Sequence, residues 1–365
     1  MDKSYINTLK DQVIDLLSLL ISTPSFSREE DKTADIISSF LDRNHISNQR
    51  IKNNVFAFNK HFRSELPTIL LNSHHDTVKP NPGYSRDPFT PTIEDGKLYG
   101  LGSNDAGGPL VSLLATFMYY NNHENLKYNL CFAATAEEEI SGLNGMDLFI
   151  QEIRAIHPLG DHPDDCAIIG EPTKMQMAVA EKGLVVLDAV SIGKAGHAAR
   201  EEGENAIYKA LQDIEWIQSY TFDKVSDFLG AVKMSVTSIS TENKAHNVVP
   251  DSCNFIIDVR VNECYTLEEI VETIQKNIKS IVKPRSFRIK SSLIKDAHIL
   301  VQSGLSLGNS TYGSPTTSDK ALVGMPALKM GPGDSARSHT ADEYIYIQEI
   351  HQGIEDYISL ISFIL

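Results

Sequence analysis

The sequence has little of what would send a chain into a membrane, out of the cell or onto a nucleic acid. No apolar run approaches the roughly 20 residues that a bilayer-crossing helix requires. The opening residues, Met1-Asp2-Lys3-Ser4-Tyr5, carry no basic stretch leading to an apolar core and a small-residue cleavage site, so the expected compartment is the cytoplasm. There are four cysteines, Cys131, Cys166, Cys253 and Cys264, with no Cys-x-x-Cys pair, and three of them sit in apolar, strand-like runs. They read as buried, reduced thiols rather than a disulfide framework or a thiolate zinc site. Any metal must then be held by His, Asp and Glu. Basic residues are outnumbered, 33 against 48, for a formal charge of −15. Such a surface repels phosphate backbones, so neither nucleic acid nor membrane is expected as a partner. Part of the acidity could be carboxylates gathered around metal. No internal repeat or low-complexity segment is present.

With 365 residues, 41% hydrophobic and 22% charged, the chain can bury the cores of roughly two domains. Apolar residues at Ile6, Leu9, Val13, Leu16 and Leu20 have helical spacing, ended by Thr23-Pro24. Ser27 and Glu30 have the spacing of a capping box for a second helix through Phe40 and Leu41. Residues 54–58, 68–73, 128–135 and 166–169 read as strands, 109–120 as an apolar helix opened by Pro109, and Asp95-Gly96 as a hairpin turn. This alternation predicts an α/β sheet covered on both faces, with ligand-binding groups at the C-terminal strand ends. From about residue 177 the pattern changes. Strands at 184–192, 232–238 and 254–260, with helices at 205–220 and 267–278, fit a β-α-β-β-α-β module. Strand signals between 310 and 330 and a closing helix over 346–365 return to the first domain. The expected division is 1–176 with 290–365, and an inserted domain over 177–289.

Reactive residues cluster at the predicted strand ends. His74-x-Asp76 puts an acid two residues from an imidazole, where it can fix the tautomer and raise basicity toward a metal. The loop Tyr99-Gly100-Leu101-Gly102-Ser103-Asn104-Asp105-Ala106-Gly107-Gly108 lacks the Lys-Ser/Thr of a phosphate loop and the third glycine of a dinucleotide turn. Its one carboxylate, Asp105, could bridge two metal ions. Glu137-Glu138-Glu139 follows a buried strand; one glutamate could bind metal while its neighbour accepts a proton. Gly170-Glu171-Pro172 and the late loop Gly331 to Glu343, containing His339, add a fourth and a fifth piece. Each alone also fits a structural turn. Hard oxygen ligands with imidazole suit zinc, cobalt or manganese.

Taken together and in this order, these motifs resemble the dinuclear zinc aminoacylase and carboxypeptidase family over nearly the whole chain. The resemblance implies a two-domain metallohydrolase: an α/β catalytic domain with an inserted, ferredoxin-like α+β lid and dimerisation domain. It implies two zinc ions (Co2+ or Mn2+ as substitutes), with His74 and Glu171 on one, Glu139 and His339 on the other, and Asp105 bridging. Asp76 would orient His74 and Glu138 would be the general base. In the lid, His197 would support the oxyanion, often across a dimer interface, and Asn247 and Arg260 would contact substrate, the planar fork of Arg260 suiting an α-carboxylate. The implied reaction is hydrolysis of the amide of a small N-acyl-L-amino acid by a homodimer. N-acetylornithine is the first expectation, in arginine biosynthesis, with N-acetylcitrulline or an N-succinyl analogue as variants. A succinyl-diaminopimelate desuccinylase, or a dipeptidase or aminoacylase, is the alternative within the family, and a non-catalytic binding protein that keeps the fold is the alternative outside it. Leu101, Ala106-Gly107 and Glu137 depart from the family's usual arginine, methionine-lysine and aspartate.

Overall fold

A computed structural model describes residues 2–157, 159–200 and 202–365. The chain divides into two compact units, Met1–Val179 with Ile294–Tyr312 and Ser318–Leu365, and Ala180–Leu293 with Gly313–Thr317. The chain passes between the units after 179 and after 293, close to the expected 176 and 289, and the short segment Gly313–Thr317, expected in the first unit, belongs with the second.

The first unit is built on a sheet ordered Gln49–Ile51, Asn54–Phe58, Asn129–Thr135, Thr68–His74, Cys166–Ile169, Ala327–Lys329 and Met177–Glu181. Its centre is parallel: Thr68–His74 runs with Asn129–Thr135 and Cys166–Ile169, and Cys166–Ile169 runs with Ala327–Lys329. Parallel strands need both faces covered, and these four are buried along their whole length. Alternation decides which face each residue serves. Ile69, Leu71, Leu130, Phe132, Cys166 and Ile168 join one core with the helices Lys3–Ile21, Asp31–Arg43, Gly108–Tyr120 and Ile347–Ser362. Leu70, Cys131, Ala133, Ala167 and Ile169 face the other way, onto Phe149 and Ile153 of the helix Met146–Ile156. The parallel centre aims four C-terminal strand ends at one edge, which is where the candidate residues gather.

The second unit contains a four-stranded antiparallel sheet, ordered Lys233–Ser240, Ser252–Val261, Gly183–Ile192 and Ile281–Pro284. Burial alternates residue by residue along Gly183–Ile192 and Ser252–Val261. One face therefore packs on the helices Ala206–Ser219 and Leu267–Asn277, and the other does not. This is the β-α-β-β-α-β order expected from the sequence.

Two local expectations resolve differently. The Asp95-Gly96 hairpin forms, with positive φ at both residues, as a turn between antiparallel strands requires. The capping box at Ser27 and Glu30 does not. The helix Asp31–Arg43 has no side-chain cap; the Ser27 hydroxyl donates to Asp76 at 2.7 Å, and Glu30 accepts from the Glu137 amide at 3.1 Å. Both side chains serve the strand ends instead of the helix. All four cysteines are free, three buried and Cys264 partly exposed. No helix among the described residues is long and apolar enough to cross a membrane.

Candidate metal centre

His74 is the last residue of its strand and is buried. Its Nδ1–H donates to the Asp76 carbonyl at 3.0 Å, with the Asp76 carboxylate 3.4 Å away, so Nε2 is left facing Asp105 Oδ1 at 3.3 Å. Asp76 thus touches His74 as expected, mainly through its backbone. Its carboxylate is turned toward the glutamates: Oδ1 accepts the Glu138 amide at 3.1 Å and Oδ2 the Glu139 amide at 3.2 Å. One buried acid therefore sets the imidazole and the glutamate pair together.

Glu138 and Glu139 open a single helical turn, Glu138–Ile140, bracketed by Glu137 at φ 55° and Ser141 at φ 47°. Left-handed backbone at a non-glycine residue costs about 1–2 kcal/mol, so something must hold it. The Asn144 amide and side chain donate to the Glu137 carboxylate at 3.3 and 2.8 Å, and the Glu137 amide donates to Glu30. Glu171 lies two residues beyond its strand, and its Oε1 is 3.9 Å from His74 Nε2. Gly331 packs against it so closely that a Cβ there would sit 2.5 Å from the Glu171 carbonyl oxygen.

Asp105 is fixed by a residue to which the sequence reading assigned no role. The buried carboxylate of Glu343 accepts the amides of Gly102, Asn104 and Asp105 at 3.1, 2.8 and 2.9 Å. Burial and the charge of Asp105 lift Glu343 to about 8 despite these three bonds. The Asp105–Ala106 peptide is cis. Asp319, also unassigned, accepts from Thr135 at 2.7 Å, and burial lifts it to about 7. Arg337 forks onto Glu349 at 2.7 and 2.9 Å, tying the His339 loop to the start of the last helix. His339 Nε2 lies 3.0 Å from Glu139 Oε2 and 3.6 Å from Asp105 Oδ2.

These distances define two donor groups, His74–Asp105–Glu171 and Asp105–Glu139–His339, in each of which the ligand atoms lie within 4.8 Å of one another. Asp105 belongs to both and turns one oxygen toward each histidine. Glu138 belongs to neither, yet its Oε2 is 3.9 Å from His74 Nε2. Burial works against a charged His74, but Asp105 and Asp76 outweigh it and hold the imidazolium well above its usual range. The Glu139 carboxylate raises His339 to about 9. Burial lifts Glu138 well above the carboxylate range; His74 opposes this, while Glu171, Asp319 and Glu139 add to it. So many carboxylates around two imidazoles suit a pair of divalent cations, and oxygen with imidazole nitrogen is the donor chemistry of zinc and its neighbours.

A match to the peptidase family M20/M25/M40 spans residues 70–362, from the His74 strand into the last helix. The chain belongs to this family. It is an M20-family hydrolase with the family's mixed α/β fold. An acetylornithine deacetylase of Buchnera aphidicola is 30% identical over 301 residues, 76% of this chain and 75% of the relative. A succinyl-diaminopimelate desuccinylase of Beijerinckia indica is 24% identical over 299 residues, 77% and 76% of the two chains. Among solved structures, a dinuclear metal-binding M20 peptidase of Bacillus subtilis matches with a TM-score of 0.72 at 16% identity, covering 98% of this chain and 99% of the other.

The remaining expected residues lie in the second unit of this M20 chain. His197 and Asn247 are brought together there: Gly196–His197 pairs with Val248–Val249, and the Ala198 amide donates to the Asn247 carbonyl at 2.9 Å. Arg260 stands apart on the strand Ser252–Val261. Its guanidinium forks onto Asp258 at 2.8 and 3.1 Å.

Proposed function

We propose that this chain hydrolyses the amide bond between a short acyl group and the amine of a small amino acid, using two divalent metal ions, zinc first among them. His74 and Glu171 would hold one ion, Glu139 and His339 the other, and Asp105 would bridge. The observation that carries this reading is the split of the acidic residues. Asp105 is shared by the two donor groups, while Glu138 stands beside them as an uncommitted carboxylate. Ions in these positions would polarise a water and the amide carbonyl. Glu138 then does the proton work: its carboxylate takes a proton from the attacking water and hands it to the leaving amine nitrogen. A carboxylate lifted by burial is suited to this, because it holds the proton between the two steps. Asp76 acts through others, fixing His74 and the amides of Glu138 and Glu139.

In the same reading His197 supports the developing oxyanion and Asn247 contacts the substrate, in a lid that also forms the homodimer. Arg260 would grip a substrate carboxylate through the Nη1 side of its guanidinium, because Nε and Nη2 are engaged with Asp258. The similarity to a desuccinylase supports an N-succinyl diamino acid at least as well as the deacetylase supports an N-acetyl one. The test is release of free amine from N-acetylornithine, N-acetylcitrulline, N-succinyl-diaminopimelate and simple dipeptides, with metal content measured in the same preparation. Chelation should abolish turnover and added zinc restore it. Full turnover in metal-free protein would sink the reading.

A further inference from the structure

A cavity of about 590 Å³ lies in the first unit, beside Ala136 and Glu137 at the start of the glutamate turn. Arg28, Arg50 and Lys52 line it, with the amides of Asn53 and Asn144, and Glu137 is its one carboxylate. Behind this lining the buried carboxylate of Glu30 accepts the Arg28 amide at 2.6 Å, the Asn53 side chain at 2.9 Å and the Glu137 amide at 3.1 Å. Arg50 is matched: it pairs with Asp35 and donates to Asn53 at 2.9 Å. Among the described residues no carboxylate pairs with Arg28, which is exposed, or with Lys52, whose Nζ donates to the neutral Asn144 Oδ1 at 2.6 Å. The single acid, Glu137, is occupied on both oxygens by Asn144. Two cations without a carboxylate partner, Arg28 and Lys52, thus face one open cavity, and such a pair is the chemistry that recognises an anion bearing several negative oxygens.

We propose that this cavity binds a small multivalent oxyanion, a phosphate or a short dicarboxylate, between Arg28 and Lys52. Its placement gives the site a consequence. Lys52 holds Asn144, Asn144 holds Glu137, and Glu137 is the left-handed residue immediately before Glu138. An anion that draws Lys52 away from Asn144 loosens the brace on the turn. The cavity is therefore an effector site for that turn as well as a binding site.

The experiment is titration calorimetry of inorganic phosphate, and separately of succinate, into the metal-loaded protein, for the wild type, Arg28→Ala and Lys52→Gln. The expected result is saturable binding to the wild type, weakened about tenfold by either substitution, with metal content unchanged. The tighter of the two anions identifies the source. Amide hydrogen exchange across 137–145 should speed up in the wild type when the anion binds and stay constant in Lys52→Gln. An anion captured by the metal ions instead would bind both variants as tightly as the wild type. That result, or absence of saturation at millimolar concentrations with either anion, overturns the proposal.

Discussion

The candidate residues of the two units are held by different means. In the first unit, buried acids outside both donor groups pin the candidate ligands and Glu138 by their backbones. Asp76 takes two amides of the glutamate turn, Glu343 takes three from the Asp105 loop, and Glu137 braces the turn from behind. In the second unit, His197 and Asn247 are exposed, and a two-residue strand pairing with one further amide bond is what joins their segments. Rigid placement suits groups that must meet metal ions at fixed distances. Looser placement suits groups that meet a substrate. The contrast predicts that substitutions in the first unit change metal binding or chemistry, while those in the second change turnover with the metal left in place.

The largest effect should come from Glu138→Gln. It keeps the shape and removes the proton acceptor, so turnover should drop by about 10²–10⁴-fold while metal content, read by elemental analysis, stays that of the wild type. An active, fully metallated variant would take Glu138 out of the mechanism. Next is His197→Ala. Loss of an oxyanion donor elsewhere costs about 10²-fold or more in kcat, and the same is expected here without loss of metal. If metal leaves along with activity, the division between the two units is wrong.

Much of this arrangement was legible because the chemistry sits where periodicity is strongest. The strands over 68–73, 128–135 and 166–169 announce themselves, and their ends carry His74, the glutamate triplet and Glu171; the strand before the His339 loop, Ala327–Lys329, is only three residues long and leaves no more than a general strand signal between 310 and 330. What the sequence hid is the support, since a residue's long-range partner leaves no local mark. Ser27 and Glu30 have the spacing of a capping box, yet both bond to strand ends far away in sequence. The same spacing at Thr266 and Glu269 does form the box, and nothing within either tetrapeptide distinguishes the two cases. Glu343 closes the late loop but shows no local sign of its task, because its three partners lie about 240 residues upstream. The departures from the family pattern also gain a local reason. A Cβ on Gly107 would sit 2.4 Å from the Gly102 carbonyl oxygen and 2.5 Å from Leu17, so the usual lysine has no room here. The longer Glu137, in place of aspartate, reaches Asn144.

Glu343→Ala measures how much of the first unit's rigidity lies in that hidden support. The loop amides lose their acceptor and Asp105 gains freedom, so affinity for zinc, measured by competition with a chelator, should weaken by about 10–100-fold. Glu343→Gln keeps one acceptor oxygen and should recover part of the loss. A purely structural role would lower the melting temperature of both variants and leave the chelator midpoint in place.

The smallest effect separates a brace from a ligand. Ser27→Ala removes one of the hydrogen bonds to the Asp76 carboxylate, which still accepts the amides of Glu138 and Glu139. Ser27 is half-buried, so water can replace its hydroxyl, and the stability cost should be about 1 kcal/mol or less by denaturant unfolding. Metal affinity should be unchanged, because His74 takes its bond from the Asp76 backbone rather than from the carboxylate that Ser27 touches. A large loss of metal in this variant would mean that the orientation of the Asp76 carboxylate governs His74 after all. Asp76 would then belong with the imidazole rather than with the glutamate turn.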